Sequence, residues 1–123
     1  MASLADYVLD NGLTKLDTEA NKILITSAEA TTYTQANATY ALGNSTSLSI
    51  GAPAARSGGG RQVTIAAITD GSVTATGTAT HYAIVDTSNS RLLATGSLSA
   101  SQAVTSGNTF TLSSATIGIP GAV

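Results

Sequence analysis

The chain has no cysteine, no tryptophan, one histidine and two prolines among its 123 residues. Without cysteine it has no disulfide scaffold, no cysteine-ligated zinc and no iron–sulfur cluster. A single histidine excludes a histidine-rich metal centre within one chain. With one phenylalanine and four tyrosines, an aromatic platform for stacking nucleic-acid bases is not expected.

Charge is scarce and unevenly spread along the chain. Only 10% of the residues are charged, and five basic residues stand against seven acidic ones. So few basic residues give no electrostatic footprint for nucleic acid, and we predict no nucleic-acid partner. Seven of the twelve charged residues lie in residues 1–30, whereas residues 92–123 carry none.

The uncharged stretch 92–123 has two interpretations. The surface of a free monomer is usually about a quarter charged or more, so the stretch favours a surface that another molecule covers. A β protein kept in solution by threonine and serine is the alternative. Polar residues recur throughout the stretch, so it is not a membrane span. The first six residues also lack the basic-then-apolar pattern of a signal peptide, and we expect no membrane partner.

Small residues dominate what is present. Alanine, threonine, serine and glycine supply 68 residues, whereas leucine, isoleucine, valine and phenylalanine supply only 26. The large core-forming residues are thus about a fifth of the chain, close to the level at which disorder becomes the default. The low charge and the two prolines nevertheless oppose disorder, so we expect a folded chain with a modest core.

Local signals predict short helices and a hairpin in residues 1–60. Ser3 is placed to cap a helix that Asn11 and Gly12 would end, and Thr32 with Gln35 forms a second capping pattern. The expected elements are a helix from residue 3 to 11, a hairpin of 13–17 with 22–26, a helix over 33–38, a short strand over 47–50 and a flexible Gly-rich loop over 51–60. The strand at 22–26 is apolar on both faces, which is typical of a buried strand.

Residues 61–123 predict a series of antiparallel strands. The expected strands are 62–69, 72–78, 80–87, 90–96, 98–104 and 109–114, followed by an extended tail over 117–121. Asp70 and Gly71 are a strong two-residue hairpin signal that would set Ile68 opposite Val73. Ala66 and Ala67 would form a bulge within the first of these strands.

The best-determined register surrounds Ser88 and Asn89. Centring a hairpin on them gives three matched pairs, Asp86 with Arg91, Val85 with Leu92, and Ile84 with Leu93. Opposite charges and apolar side chains coincide in this register, which supports it. In the last strand Phe110 and Leu112 would face one way and Thr109 and Thr111 the other.

These elements predict a mainly β fold, an antiparallel β-meander or sandwich-like single domain with short N-terminal helical elements. Within it we divide the chain at residue 60. Residues 1–60 would be an N-terminal arm with short helices, a hairpin and the Gly-rich loop. Residues 61–123 would be the β-meander with its extended C-terminal tail.

No group of residues predicts catalysis or ligand binding. His81 and Asp86, with one of the serines, lack a nucleophile elbow and would point to opposite faces of one strand. The acidic residues Asp6, Asp10, Asp17 and Glu19 are best explained as a solvated surface, since no loop resembles a calcium site. We therefore predict no catalytic, cofactor-binding or metal-binding residues, no cofactor and no enzyme activity.

Two further patterns are weak. Residues 57–61 are Gly-rich but lack the Lys-Ser/Thr ending of a phosphate-binding loop and lead into a strand. Asn37 and Asn44 begin glycosylation sequons, which a composition rich in threonine and alanine generates by itself.

Several segments carry a resemblance. The run HYAIVD at 81–86, followed by RLLATGSL at 91–98, resembles small structural proteins of tailed bacteriophages. The start LADYVLDNGL at 4–13, and Ala66 with ITDG at 68–71, are similar to the same group. The resemblance spans most of the chain and implies a virion component without catalytic residues.

The expectation that follows is a capsid decoration, or cement, protein. It would bind the major capsid protein of the assembled head as a homo-oligomer, with a trimer as one option. It would be made in the bacterial host cytoplasm and located on the capsid surface of the virion. The N-terminal arm and residues 51–61 would contact the shell.

Two alternatives remain open. One is a tail, fibre or baseplate component of the same virion. The other is a carbohydrate-binding β module, for which only five aromatic residues could stack on sugar, namely Tyr7, Tyr33, Tyr40, Tyr82 and Phe110.

Overall fold

The computed structural model describes residues 6–46 and 48–119, without the side chains of Asp6 and Ser99. Its elements in chain order are α1 (Asp6–Glu19), β1 (Lys22–Thr26), a π-helical turn (Gln35–Thr39), β2 (Ala41–Ser45), β3 (Ala54–Ala55), β4 (Arg61–Ile65), β5 (Ile68–Val73), β6 (Gly77–Asp86), β7 (Arg91–Val104), β8 (Thr109–Leu112) and β9 (Ala115–Ile119). The strands form two antiparallel sheets, and the described part of the chain begins with one α-helix. The predicted mainly β, antiparallel fold class is thus confirmed.

The chain forms two compact units, and neither is continuous in sequence. The first unit takes its described residues from Met1–Glu19, Ser49–Ala67 and Ser113–Val123, and it contains the sheet β3-β4-β9. The second comprises Ala20–Leu48 and Ile68–Leu112, and it contains the sheet β7-β6-β1-β2-β5-β8. The predicted division at residue 60 falls inside the Ser49–Ala67 segment of the first unit.

Helix α1 is longer than the sequence predicts. Leu9, Leu13 and Leu16 are buried, and their spacing of four and three residues forms one apolar stripe. The helix therefore runs through Asn11 and Gly12, and the predicted strand at 13–17 is wrong. Asn11 remains compatible with the helix because its Nδ2 donates to the Tyr7 carbonyl oxygen at 2.6 Å.

Strand β1 is buried on both faces, as predicted. Ile23, Leu24, Ile25 and Thr26 are all at most 3% exposed. The strand lies inside the larger sheet and pairs with β2 on one side and β6 on the other. The polar side chain among these four is satisfied locally, since the Thr26 hydroxyl donates to the Ala28 carbonyl oxygen at 2.8 Å.

The turn between β1 and β2 contains the second predicted helix. The Thr32 hydroxyl accepts a bond from the Gln35 N–H at 3.2 Å, so the predicted cap forms. The Gln35 side chain, however, accepts from the N–H of Thr31 at 2.8 Å. Strand β2 is not among the elements predicted from the sequence, which leave a gap between the helix at 33–38 and the strand at 47–50. Gly43 lies in this strand, where a Cβ would stand 2.6 Å from the Ser72 carbonyl oxygen.

The region 61–78 differs most from expectation. The predicted strand at 62–69 divides into β4 and β5, which belong to different sheets, so Ala66 and Ala67 are a connection and not a bulge. Asp70 and Gly71 lie inside β5, so the predicted hairpin and the strand at 72–78 are wrong. Ile68 pairs with Leu112.

The β6–β7 hairpin follows the predicted register at its closed end. Asp86 is opposite Arg91, and Val85 is opposite Leu92. An irregularity follows, so Ile84 pairs with Ala94 and the predicted partner Leu93 is the extra residue. The strands predicted at 90–96 and 98–104 are one strand, β7, with a second irregularity between the pairs His81–Ser97 and Ala79–Gln102.

The remaining predictions concern the chain ends and the last strands. In β8, Phe110 and Leu112 are buried and the two threonines are exposed, as predicted. The extended tail is correct for Ile117 to Ile119, which lie in β9, and residues 120–121 lie outside the described residues. Of the strand predicted at 47–50, residue 47 is likewise outside, and Ile50 makes a single bridge with Ile65.

Gly71 yields a stability prediction, because a Cβ at this position would overlap the Phe110 ring. Gly71→Ala should lower the free energy of unfolding by about 1–3 kcal/mol through overpacking. Gly51→Ala is the matched control, since its nearest neighbour would lie at 3.7 Å. Urea unfolding of both variants gives the comparison, and equal midpoints would contradict the packing described here.

Candidate interaction surfaces

The histidine–aspartate pair considered from the sequence does not come together. His81 and Asp86 lie five positions apart on β6, which sets them on opposite faces and about 16 Å apart along the strand. The His81 Nδ1 lies 2.8 Å from the Thr80 hydroxyl oxygen. That hydroxyl donates to the Ser27 carbonyl oxygen at 3.1 Å, so its oxygen is held beside the ring by a contact that does not involve Asp86.

Asp86 instead organises the β6–β7 turn. The residue is 2% exposed, and its carboxylate accepts bonds from the Ser88 N–H at 2.9 Å and the Asn89 Nδ2 at 2.7 Å. The Asn89 bond is the main cause that lowers the pKa of Asp86 below its ordinary 3.8, against the opposing effect of burial. The carboxylate is therefore a structural anion that fixes the turn residues.

One of the predicted acidic residues has a defined partner. The Arg61 Nε donates to Asp10 Oδ1 at 2.7 Å, and Nη2 lies 3.4 Å from Oδ2. This two-point contact joins α1 to β4. Fifty-one residues separate the pair, so no local sequence signal could reveal it.

The other acidic residues do not form a cation site. Asp17 is exposed and Glu19 is partly buried on α1, while the side chain of Asp6 lies outside the described residues. Among the described residues, no three His, Asp or Glu side chains are grouped as metal ligands would be. The structure therefore offers no calcium centre in this part of the chain.

The Gly-rich segment is a hydrogen-bonded turn between β3 and β4. Gly58, Gly59 and Gly60 have φ of 88°, 106° and 90°, which side chains other than glycine rarely tolerate. The Gly59 N–H donates to the Arg56 carbonyl oxygen, and the Arg56 N–H donates to that of Gly60, both at 3.1 Å. The predicted flexible loop thus has internal order, and the Gly59 N–H is engaged within the turn.

The aromatic side chains differ in exposure. Phe110 is buried, and the Tyr82 ring lies against Gly96, where a Cβ would stand 2.5 Å from it. Tyr33 and Tyr40 are partly buried and pack on the same core cluster around Leu24. Tyr7, on α1, is 79% exposed. Of these five side chains, Tyr7 alone is largely available for stacking on a sugar ring.

The two sequon asparagines are partly buried. Asn37 accepts a bond from the Lys22 Nζ at 3.1 Å, and Asn44 lies within β2, paired with Leu24 and Ser72. Neither extends from an open loop.

The exposed part of residues 97–111, all in the second unit, carries no charged side chain. We call it the uncharged surface. It consists of the exposed residues Ser97, Ala100, Ser101, Ala103, Thr105, Ser106, Gly107, Asn108, Thr109 and Thr111. Hydroxyls, an amide and backbone groups are its only polar groups. Such a surface can bind through hydrogen bonds and close packing, without ion pairs.

Comparison of the chain with known protein families, with curated proteins and with solved structures finds no match. None of the helices in the described part of the chain is long and apolar enough to cross a membrane.

The role of Asp86 predicts a pH dependence. A carboxyl whose folded pKa is lowered stabilises the fold above its unfolded pKa, near 3.8, and loses this contribution as the pH falls through the folded value. Asp86→Asn should therefore unfold at lower urea than the parent near neutral pH. The difference should shrink as the pH is lowered from about 6 to about 2.

Asp17→Asn, which changes an exposed carboxyl, is the control and should follow the parent at each pH. A difference between Asp86→Asn and the parent that stays constant with pH would contradict the assigned role.

Proposed function

We propose that the protein is a structural component of a tailed-phage virion, a capsid decoration protein that binds the major capsid protein on the assembled head. The observation that carries this proposal is the uncharged surface, which runs through β7 and β8. The resemblance of residues 4–13, Ala66 with 68–71, 81–86 and 91–98 to small phage structural proteins supports it.

The area of the chain supports contacts on this scale. The accessible surface is 6507 Å², and a standard interface covers about 800 Å² on each partner. Two or three such contacts would cover about a quarter to slightly more than a third of the surface. That share would account for a region of the chain without charge. Repetition over a shell allows each contact to be weak while the total binding is strong.

A homo-oligomer on the capsid surface fits the modest core. Residues that a neighbouring copy or the shell covers need not be solvated by charge. Synthesis in the host cytoplasm agrees with a chain that has no cysteine and needs no disulfide.

Co-sedimentation with phage heads that lack the protein tests the proposal, with isolated tails as the parallel sample. Saturable, stoichiometric binding to heads is the expected result. Binding to tails alone would move the assignment to a tail, fibre or baseplate component. Binding to neither, with retention on a glycan array, would favour the carbohydrate-binding module.

A pair of variants tests the surface that carries the proposal. Ser101→Glu with Ala103→Glu places two charges on the uncharged surface and should reduce head binding at least tenfold. Thr34→Glu with Thr39→Glu adds the same charge at exposed positions outside it and should bind as the parent does. Equal binding of both double variants would contradict a role for the uncharged surface.

A further inference from the structure

Two of the edge strands, β7 and β9, differ in how regularly they pair with their neighbours. β7 is the longer edge strand, but two irregularities interrupt its pairing with β6. Bulges of this kind protect an edge from pairing with another chain. β9 forms the edge of the three-stranded sheet and pairs with β4 over five consecutive residues without irregularity. β9 is thus the flat edge of the two.

The direction of the backbone groups of β9 follows from β4. The Thr64 carbonyl oxygen accepts from the Gly51 N–H at 2.9 Å, so the peptide groups of Thr64 face away from β9. Val63 therefore faces β9 and exchanges bonds with Ile117. By alternation, Thr116 and Gly118 direct their N–H and C=O groups to the open side. Both residues are exposed, and no bond to these groups is formed within residues 6–46 and 48–119.

Helix α1 places one exposed apolar side chain beside the same edge. Gly12 lies against β9, where a Cβ would stand 3.3 Å from the Ile119 Cδ1, whereas Asp10 contacts Arg61 on β4. Val8 precedes Gly12 by four residues and shares its side of the helix. Val8 is 54% exposed, so an exposed apolar side chain lies on the flank nearest the open edge.

We propose that the open edge of β9 binds the β9 edge of a second copy of this chain, antiparallel about a twofold axis at Ile117. In this register Thr116 of each copy pairs with Gly118 of the other, which satisfies all the outward N–H and C=O groups with four hydrogen bonds. Ile117 meets its own copy. The sheet then continues across the axis as six strands, β3-β4-β9 and the same three of the second copy.

The chemistry of β9 fits a second copy in particular. The strand itself has no charged residue. The Arg56 side chain lies over Gly118, but in this register Gly118 is opposite Thr116, so the two Arg56 side chains do not stand directly opposite each other. Two copies of this edge can pair with the twofold axis at Ile117, at Thr116 or at Gly118. Only the axis at Ile117 lets both Thr116 and Gly118 form hydrogen bonds with each other's copies. Ala115 then lies opposite Ile119, which extends the partly buried apolar side of β9 across the axis.

The expected dimer is weak. Five residues of edge and one helix flank are less than the about 800 Å² per partner of a standard interface, so we expect a dissociation constant of about 10 µM to 1 mM. A twofold contact also gives an even number of copies, and so this edge forms a dimer and not the trimer considered from the sequence. The inference holds whichever part of the virion the protein occupies.

Sedimentation velocity over a hundredfold range of concentration provides the first test. The parent should shift from monomer towards dimer. Thr116→Pro removes an outward N–H that makes no bond to β4. Edge strands tolerate proline where the N–H faces outward. This variant should therefore fold but should raise the dissociation constant of the dimer at least tenfold. Thr116→Val keeps the N–H and should dimerise as the parent does. Circular dichroism establishes that each variant is folded.

Single cysteines provide the second test, because the chain has none of its own. Under mild oxidation Ile117→Cys should form disulfide dimers at least tenfold faster than Ile119→Cys, whose copies would be about 13 Å apart along the strands. The two positions are similarly buried. A parent that stays monomeric throughout, or equal cross-linking of the two cysteine variants, would overturn the proposal.

Discussion

The scarcity of large side chains is the constraint on which the fold depends. The few large rings fill the core because they pack directly against glycines. The one phenylalanine, Phe110 on β8, packs over Gly71 of β5 and approaches Gly43 of β2. A single ring thereby closes the packing of three adjacent strands. Tyr82 makes the same kind of contact with Gly96 across β6 and β7. Close backbone approach lets a few large residues fill a core that their number alone would leave incomplete.

That constraint also explains which features could be predicted from the sequence. β1, the alternation of β8 and the Asp86–Arg91 pair depend on local patterns and were correct. The two predictions based on glycine turns, at Gly12 and Gly71, were wrong because both glycines accept distant side chains. Ile119 and Phe110 are the side chains concerned. A glycine at a close contact and a glycine in a turn have the same local sequence signal.

The candidate chemistry of the sequence proved to be structural where the residues are described. Asp86 holds a turn through Ser88 and Asn89, and Asp10 ties α1 to β4 through Arg61, a contact between distant segments that local patterns could not show. What distinguishes the molecule is its surface. Charged side chains lie mostly in the first thirty residues, and the uncharged surface and the open edge of β9 offer hydrogen bonds and shape to partners. In the assembly that we propose, both would provide recognition through hydrogen bonds and close packing.

Cryo-electron microscopy of heads saturated with the protein tests the central claim most directly, namely that the uncharged surface is covered on assembly. The account predicts that Ser97 to Thr111 face the shell or a neighbouring copy. A reconstruction in which the bound protein turns this segment to solvent and contacts the shell only through other residues would contradict it.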